Sequence, residues 1–203
     1  MTFGPWQFGT TEVIALIQTG AALCIAWWAR GSVKEWIKQR ATIRKSEVAE
    51  KTLALMYEAD DVFKDIRSGL YFVPEGESQP TGAVKAKADC ERGLDRIQKH
   101  YKFFGKVYSH FAITKALLGN NIYAQFKTVL RLRQEIYAAY VARQNYVVAN
   151  EDEGTDPAKN LQHRYELWDI IYGASDDKDK FYQKYKTALK SLEDELLPMI
   201  RGA

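Results

Sequence analysis

Apolar residues recur at steps of three and four through most of the chain, and turn-forming clusters divide that pattern into five stretches. Between Ser32 and Leu70 there is no proline, and the one glycine is Gly69. Val48, Leu55, Ala59, Val62 and Ile66 fall on one helical face with Thr52 between them, and Met56, Phe63 and Leu70 widen the stripe. The string VPEGESQPTG, residues 73–82, ends that helix with two prolines and two glycines. A second helix is predicted from about Ala83 to Leu118. Its seam is Leu94, Ile97, Tyr101, Phe104, Tyr108 and Phe111, spaced 3-4-3-4-3.

Gly119-Asn120-Asn121 reads as a turn, after which Ile122, Phe126, Val129, Leu130, Ile136, Tyr137, Tyr140 and Val141 mark a third helix. The acidic stretch NEDEGTDPAKN, residues 150–160, reads as a loop. A short helix over Leu161–Tyr172 carries Leu167, Trp168 and Ile171. Gly173 is placed to cap it, and Ser175 or Asp176 to start the next. The last helix uses Phe181, Tyr185, Leu189, Leu192 and Leu196 and ends near Pro198. No strand-like alternation between hairpin turns occurs. The pattern therefore predicts an all-α protein whose residues 46–203 form an antiparallel bundle of about four main helices and one short one.

The first thirty residues follow a different rule. Val13–Ala29, VIALIQTGAALCIAWWA, holds no charge. At about 1.5 Å per residue it reaches roughly 26 Å, against a hydrocarbon core about 30 Å thick. With Thr10 and Thr11 as extension, a transmembrane helix over about 11–29 is expected, with Trp27, Trp28 and Trp36 at one membrane interface and Trp6 and Phe8 at the other. A secretory signal fits less well. It lacks a positive n-region, and the apolar run ends in Trp27-Trp28-Ala29-Arg30 rather than small residues. A buried bundle helix is the main rival, because Gln18 and Thr19 are mildly polar. Gly20 and Cys24 form a single small-xxx-small pair, which leaves a homo-oligomer open without arguing for it.

Charge changes this picture by its placement. The net charge is +3, yet residues 1–29 contain no lysine or arginine. Arg30, Lys34, Lys38, Arg40, Arg44 and Lys45 follow, against the one acid Glu35. Removing those residues and Glu12 leaves residues 46–203 with 23 basic and 24 acidic side chains. The balanced part lacks the basic footprint of a nucleic-acid binder. The collar just after the apolar run is suited to anionic lipid, and puts the N-terminus outside and the remainder in the cytoplasm. The expected organisation is a short external N-terminus and span over 1–31, a basic juxtamembrane helix over 32–45, and a cytoplasmic bundle over 46–203.

Candidate chemistry is sparse. The residues three before His100, His110 and His163 are Ile97, Val107 and Asn160, so no Glu-x-x-His pair exists, and no HExxH, EF-hand loop or Cys-x-x-Cys occurs. Gly105-Lys106 lacks the rest of a phosphate loop. Cys24 and Cys90 form no framework and point to a reducing compartment for the main domain. HYKFFGKVYSHF, residues 100–111, interleaves aromatics with lysines, but its aromatics coincide with the predicted helix seam. No catalytic, cofactor or metal residue is assigned.

The strings EVIALIQTGAALCIAWWA and SEVAEKTLALMYEADDVFKDIRSG resemble a group of bacterial single-pass membrane proteins of no assigned function. The resemblance covers roughly residues 12–70. It implies a bacterial inner-membrane anchor and a helical domain, and transfers no active-site residue. The expected function is that of a membrane-anchored bundle acting through protein contacts, with lipids and a protein as partners. The alternatives are a lipid-binding effector working through residues 32–45, with Trp36, Ile37 and Ile43 inserted, and a small enzyme without a recognisable motif.

Residues 46–203 expressed alone are expected to be soluble, helical by circular dichroism and cooperative in melting. A disordered spectrum from that fragment would overturn the bundle reading.

Overall fold

The structure, a computed structural model, describes residues 9–69, 82–152, 157–173 and 179–202, apart from the side chains of 10–14, 16, 82–83, 147–152 and 157–164. Among the described residues it is all-helical. The elements are α1 (Thr10–Ile66), α2 (Gly82–Lys99), α3 (Tyr101–Leu118), α4 (Asn120–Phe126), α5 (Thr128–Asp152), α6 (Pro157–Tyr172) and α7 (Lys180–Arg201). The chain divides into two compact units, Met1–Arg44 and Lys45–Ala203.

The second unit is a helical bundle in which α2 and α6 pack on α5, and α4 on α7. Its core gathers the stripe expected on the first helix, with Val48, Thr52, Leu55, Met56, Ala59, Val62, Phe63 and Ile66 all buried. Leu70 and the loop predicted over 73–82 lie outside the described residues, except for Gly82, which opens α2. Phe63 is central: its ring meets Phe181 and Tyr185 edge-on at 5.3 and 5.8 Å and Phe104 at 6.3 Å. Such tilted contacts match the quadrupoles of the rings. Gly93 of α2 lies under the Tyr140 ring of α5, in space that a Cβ would occupy. The buried Tyr140 hydroxyl donates to the Ile66 carbonyl at 3.1 Å, in the last turn of α1.

The long second helix is two. α2 ends at Lys99, His100 sits at φ −89°, ψ 13°, and α3 begins at Tyr101. His100 Nε2 lies 2.7 Å from Asp65 Oδ2, which ties the junction to α1. The expected seam holds in part across the junction, since Ile97, Phe104 and Phe111, seven residues apart, are buried and Leu94 packs against the core. Phe103, Phe104, Val107, His110, Phe111 and Thr114 are buried, whereas Tyr101 and Tyr108, expected in the seam, are exposed. The third helix is likewise divided at Lys127 into α4 and α5. The loop expected over 150–160 is shorter, since α5 runs to Asp152 and α6 starts at Pro157, a residue suited to a first helical turn; residues 153–156 lie outside the described residues.

Gly173 does cap α6, at φ +54°, with its N–H on the Asp169 carbonyl. The cap of the last helix is Asp179, whose Oδ1 accepts from the N–H groups of Phe181 and Tyr182. Ser175 and Asp176, the expected starters, lie outside the described residues. Pro198 does not end α7, which continues to Arg201.

One buried charge joins these ends. Arg67, just past α1, is 7% exposed. Its Nη1 donates to Asp179 Oδ2 at 2.6 Å, its Nε to the Ile170 carbonyl at 3.0 Å and its Nη2 to the Asp169 carbonyl at 2.8 Å. The guanidinium also lies 4.3 Å from the centre of the Phe181 ring. A Cβ on Gly173 would strike both Arg67 and Asp179. Elsewhere His110 sits in the core against Thr52 Oγ1 at 3.2 Å and the ring of Phe126. Burial, with a smaller contribution from the charge of Lys51, pushes its pKa down, and the Val48 carbonyl pulls the other way.

Arg67→Ala is expected to cost about 3–5 kcal/mol in urea unfolding, because Asp179 is left as a buried unpaired charge. Gly173→Ala adds about 1–2 kcal/mol of left-handed backbone strain to the clash. The lowered pKa of His110 sets the sign of a pH effect. The unfolded chain takes up a proton near pH 6.5 that the folded core resists, so stability falls as pH drops below about 6.5. Urea titrations at neutral pH and near pH 5 should show that slope, and His110→Gln should flatten it.

Candidate functional site

The part of α1 in the first unit carries the residues singled out from sequence. Ala, Leu, Ile, Lys, Arg, Gln and Glu dominate it, all compatible with a helix. Gly31 lies within α1 and has no positive φ, so the helix is continuous there. Three hydroxyls turn back onto the helix: Thr19 donates to the Ala15 carbonyl at 2.8 Å, Ser32 to Trp28 at 3.1 Å and Thr42 to Lys38 at 3.0 Å. Their hydrogen bonds are thus made within the helix and need no water.

The expected membrane span over about 11–29 is not supported. No helix among the described residues is long and apolar enough to cross a membrane. The side chains of 10–14 and 16, which open that span, lie outside the described residues, as do Trp6 and Phe8.

What the arm does present is apolar surface. Trp27 is 81% exposed and Trp28 72%, and Ile17, Leu23, Ile25, Val33, Trp36, Ile37 and Ile43 are each more than half exposed. Burying such a side chain is worth about 1.5–3 kcal/mol, so a row of them left bare is unusual for a helix working in water. Arg30, Lys34, Lys38, Arg40 and Arg44 are exposed on the same helix, and Lys45 is the first residue of the second unit. The Arg40 guanidinium lies over the Trp36 ring, 5.0 Å from its centre.

The helix sorts these residues by side. At about 100° per residue, Ile25, Ala29, Trp36 and Ile43 fall within about 40° of one another, and Arg30, Lys34 and Lys38 within about 80°, centred about 160° round. Leu23, Trp27 and Ile37 are exceptions on the basic side, and Arg40 falls about 20° from Ala29, at the edge of the apolar stripe. Sequence reasoning named Trp36 and Ile43 but missed Ile25 and Ala29 as members of their stripe. Their spacing is visible only if the helix is carried through Gly31.

The bundle offers little beside this. Among the described residues, no three His, Cys, Asp or Glu side chains are placed to hold a metal ion. His110 is packed between threonines, His100 is paired with Asp65, and the side chain of His163 lies outside the described residues. The buried Cys90 thiol has its pKa pushed up by desolvation, which suppresses the reactive thiolate. Tyr182, hydrogen-bonded to Asp60, is pushed up to about 12, chiefly by burial, and so keeps its proton at neutral pH. Comparison with protein families, curated proteins and solved structures finds no match.

Proposed function

We propose that this chain is a membrane-bound helical-bundle protein: the arm seats it on a lipid bilayer, and the bundle works through contacts with proteins held at the same surface. The observation that carries this reading is the exposed apolar row Leu23, Ile25, Trp27, Trp28 and Trp36 next to the basic collar. Lipid covers the first and attracts the second. Confinement to a surface raises the effective concentration of partners tethered there. Bacterial inner membrane is the location that suits the expected resemblance. An external N-terminus belongs to the version of this reading in which residues 11–29 cross the bilayer.

Membrane fractionation of the full-length protein tests it. The protein is expected in the membrane pellet, and a chain beginning at residue 46 in the soluble fraction. Full-length protein found free of membranes would overturn the reading. High-salt and alkaline carbonate washes then separate the seatings: resistance to both marks a bilayer span, and release marks a surface-bound arm.

A further inference from the structure

Resting on the membrane reading above, the geometry points to the arm lying along the surface of an anionic bilayer over residues 25–44, rather than leaving the membrane there as the exit of a span. Two observations combine. The helix is unbroken at Gly31, so it has no joint at which to turn from the membrane normal into the plane. Ile25, Ala29, Trp36 and Ile43 line one side and Arg30, Lys34 and Lys38 the other, the arrangement of a helix half-immersed along its length.

The chemistry of the surface follows from the charges. Five basic residues and the single acid Glu35 lie within residues 30–44, so the partner is rich in anionic phosphate headgroups. Arg40 and Arg44 flank the apolar stripe rather than facing it. The Arg40 guanidinium over the Trp36 ring puts a cation at the edge of the apolar stripe, within reach of headgroup phosphates. The hydroxyl of Ser32, already bonded within the helix, costs little to immerse.

The test uses full-length protein with vesicles of phosphatidylcholine alone and of phosphatidylcholine with about one third phosphatidylglycerol. Co-sedimentation at low salt is expected to favour the anionic vesicles by at least about tenfold, and the preference to fall as salt rises. Arg30→Gln, Lys34→Gln and Lys38→Gln together should abolish the preference, and Ile25→Ser with Trp36→Ser should weaken binding to both vesicles, each with unchanged helical circular dichroism. Spin labels placed singly along residues 25–44, in a background of Cys24→Ser and Cys90→Ala, should alternate between lipid and water accessibility with a period of about 3.6 residues.

A smooth gradient of depth along the labels, or resistance to carbonate, overturns the surface-lying arm while leaving membrane attachment intact. Equal binding to both vesicles overturns the anionic preference. Binding to neither vesicle, or self-association in its place, overturns the membrane reading as well.

Discussion

The bundle turns on the buried guanidinium of Arg67. It stands where α1 ends, and it reaches the last carbonyls of α6 and the carboxylate that caps α7. Together these contacts satisfy a buried guanidinium that would otherwise be stranded. The α6 carbonyls lie at the negative end of a helix dipole, and Asp179 shares its two oxygens between Arg67 and the first N–H groups of α7. A buried ion pair of this kind adds little net stability over an apolar replacement, but removing any one partner is expensive. Its effect is on geometry. Three helix ends must meet in one arrangement, and Gly173 is needed because a Cβ has no room between Arg67 and Asp179.

The same economy runs along the bundle half of α1. Tyr140 and Tyr185 bury their rings and donate to the carbonyls of Ile66 and Met56. Thr52 donates to Val48 and meets His110. A helical carbonyl has a second lone pair after its own ladder bond, so these polar side chains are accommodated without opening the helix. Core aromatics from α3 and α7 close on Phe63 between these anchors. Exposed ion pairs such as Lys184–Glu135 and Lys106–Glu58 sit outside this frame and contribute about 0–1 kcal/mol each.

The two units of the chain obey opposite rules. Among the described residues, large apolar groups of 45–203 are mostly removed from water, and those of 17–43 are mostly left in it. One environment cannot satisfy both. A lipid surface resolves the conflict, since it takes up the apolar side of a helix and attracts the basic side.

Much of the fold is legible in the sequence because helical burial has a period that residues declare individually. Val48 to Ile66 and Phe181 to Leu196 need only their own spacing to be placed in a core. The breaks at His100 and Lys127 are not declared in this way. Neither residue is a strong helix breaker, and the first junction is tied down by Asp65, which lies 35 positions away. Tyr101 and Tyr108 matched the heptad seam and yet are exposed, while Ile97, Phe104 and Phe111 of the same seam are buried. The arm shows the same division. Its apolar and basic composition is local information, whereas the stripe joining Ile25 to Ile43 exists only once the helix is known to run through Gly31. The sequence by itself determined the helical class, the core stripes and the charge asymmetry, all of which depend on neighbours a few residues apart. The tertiary structure alone decided the register beyond each junction and the meeting of Arg67 with Asp179, because those depend on groups brought together from distant parts of the chain.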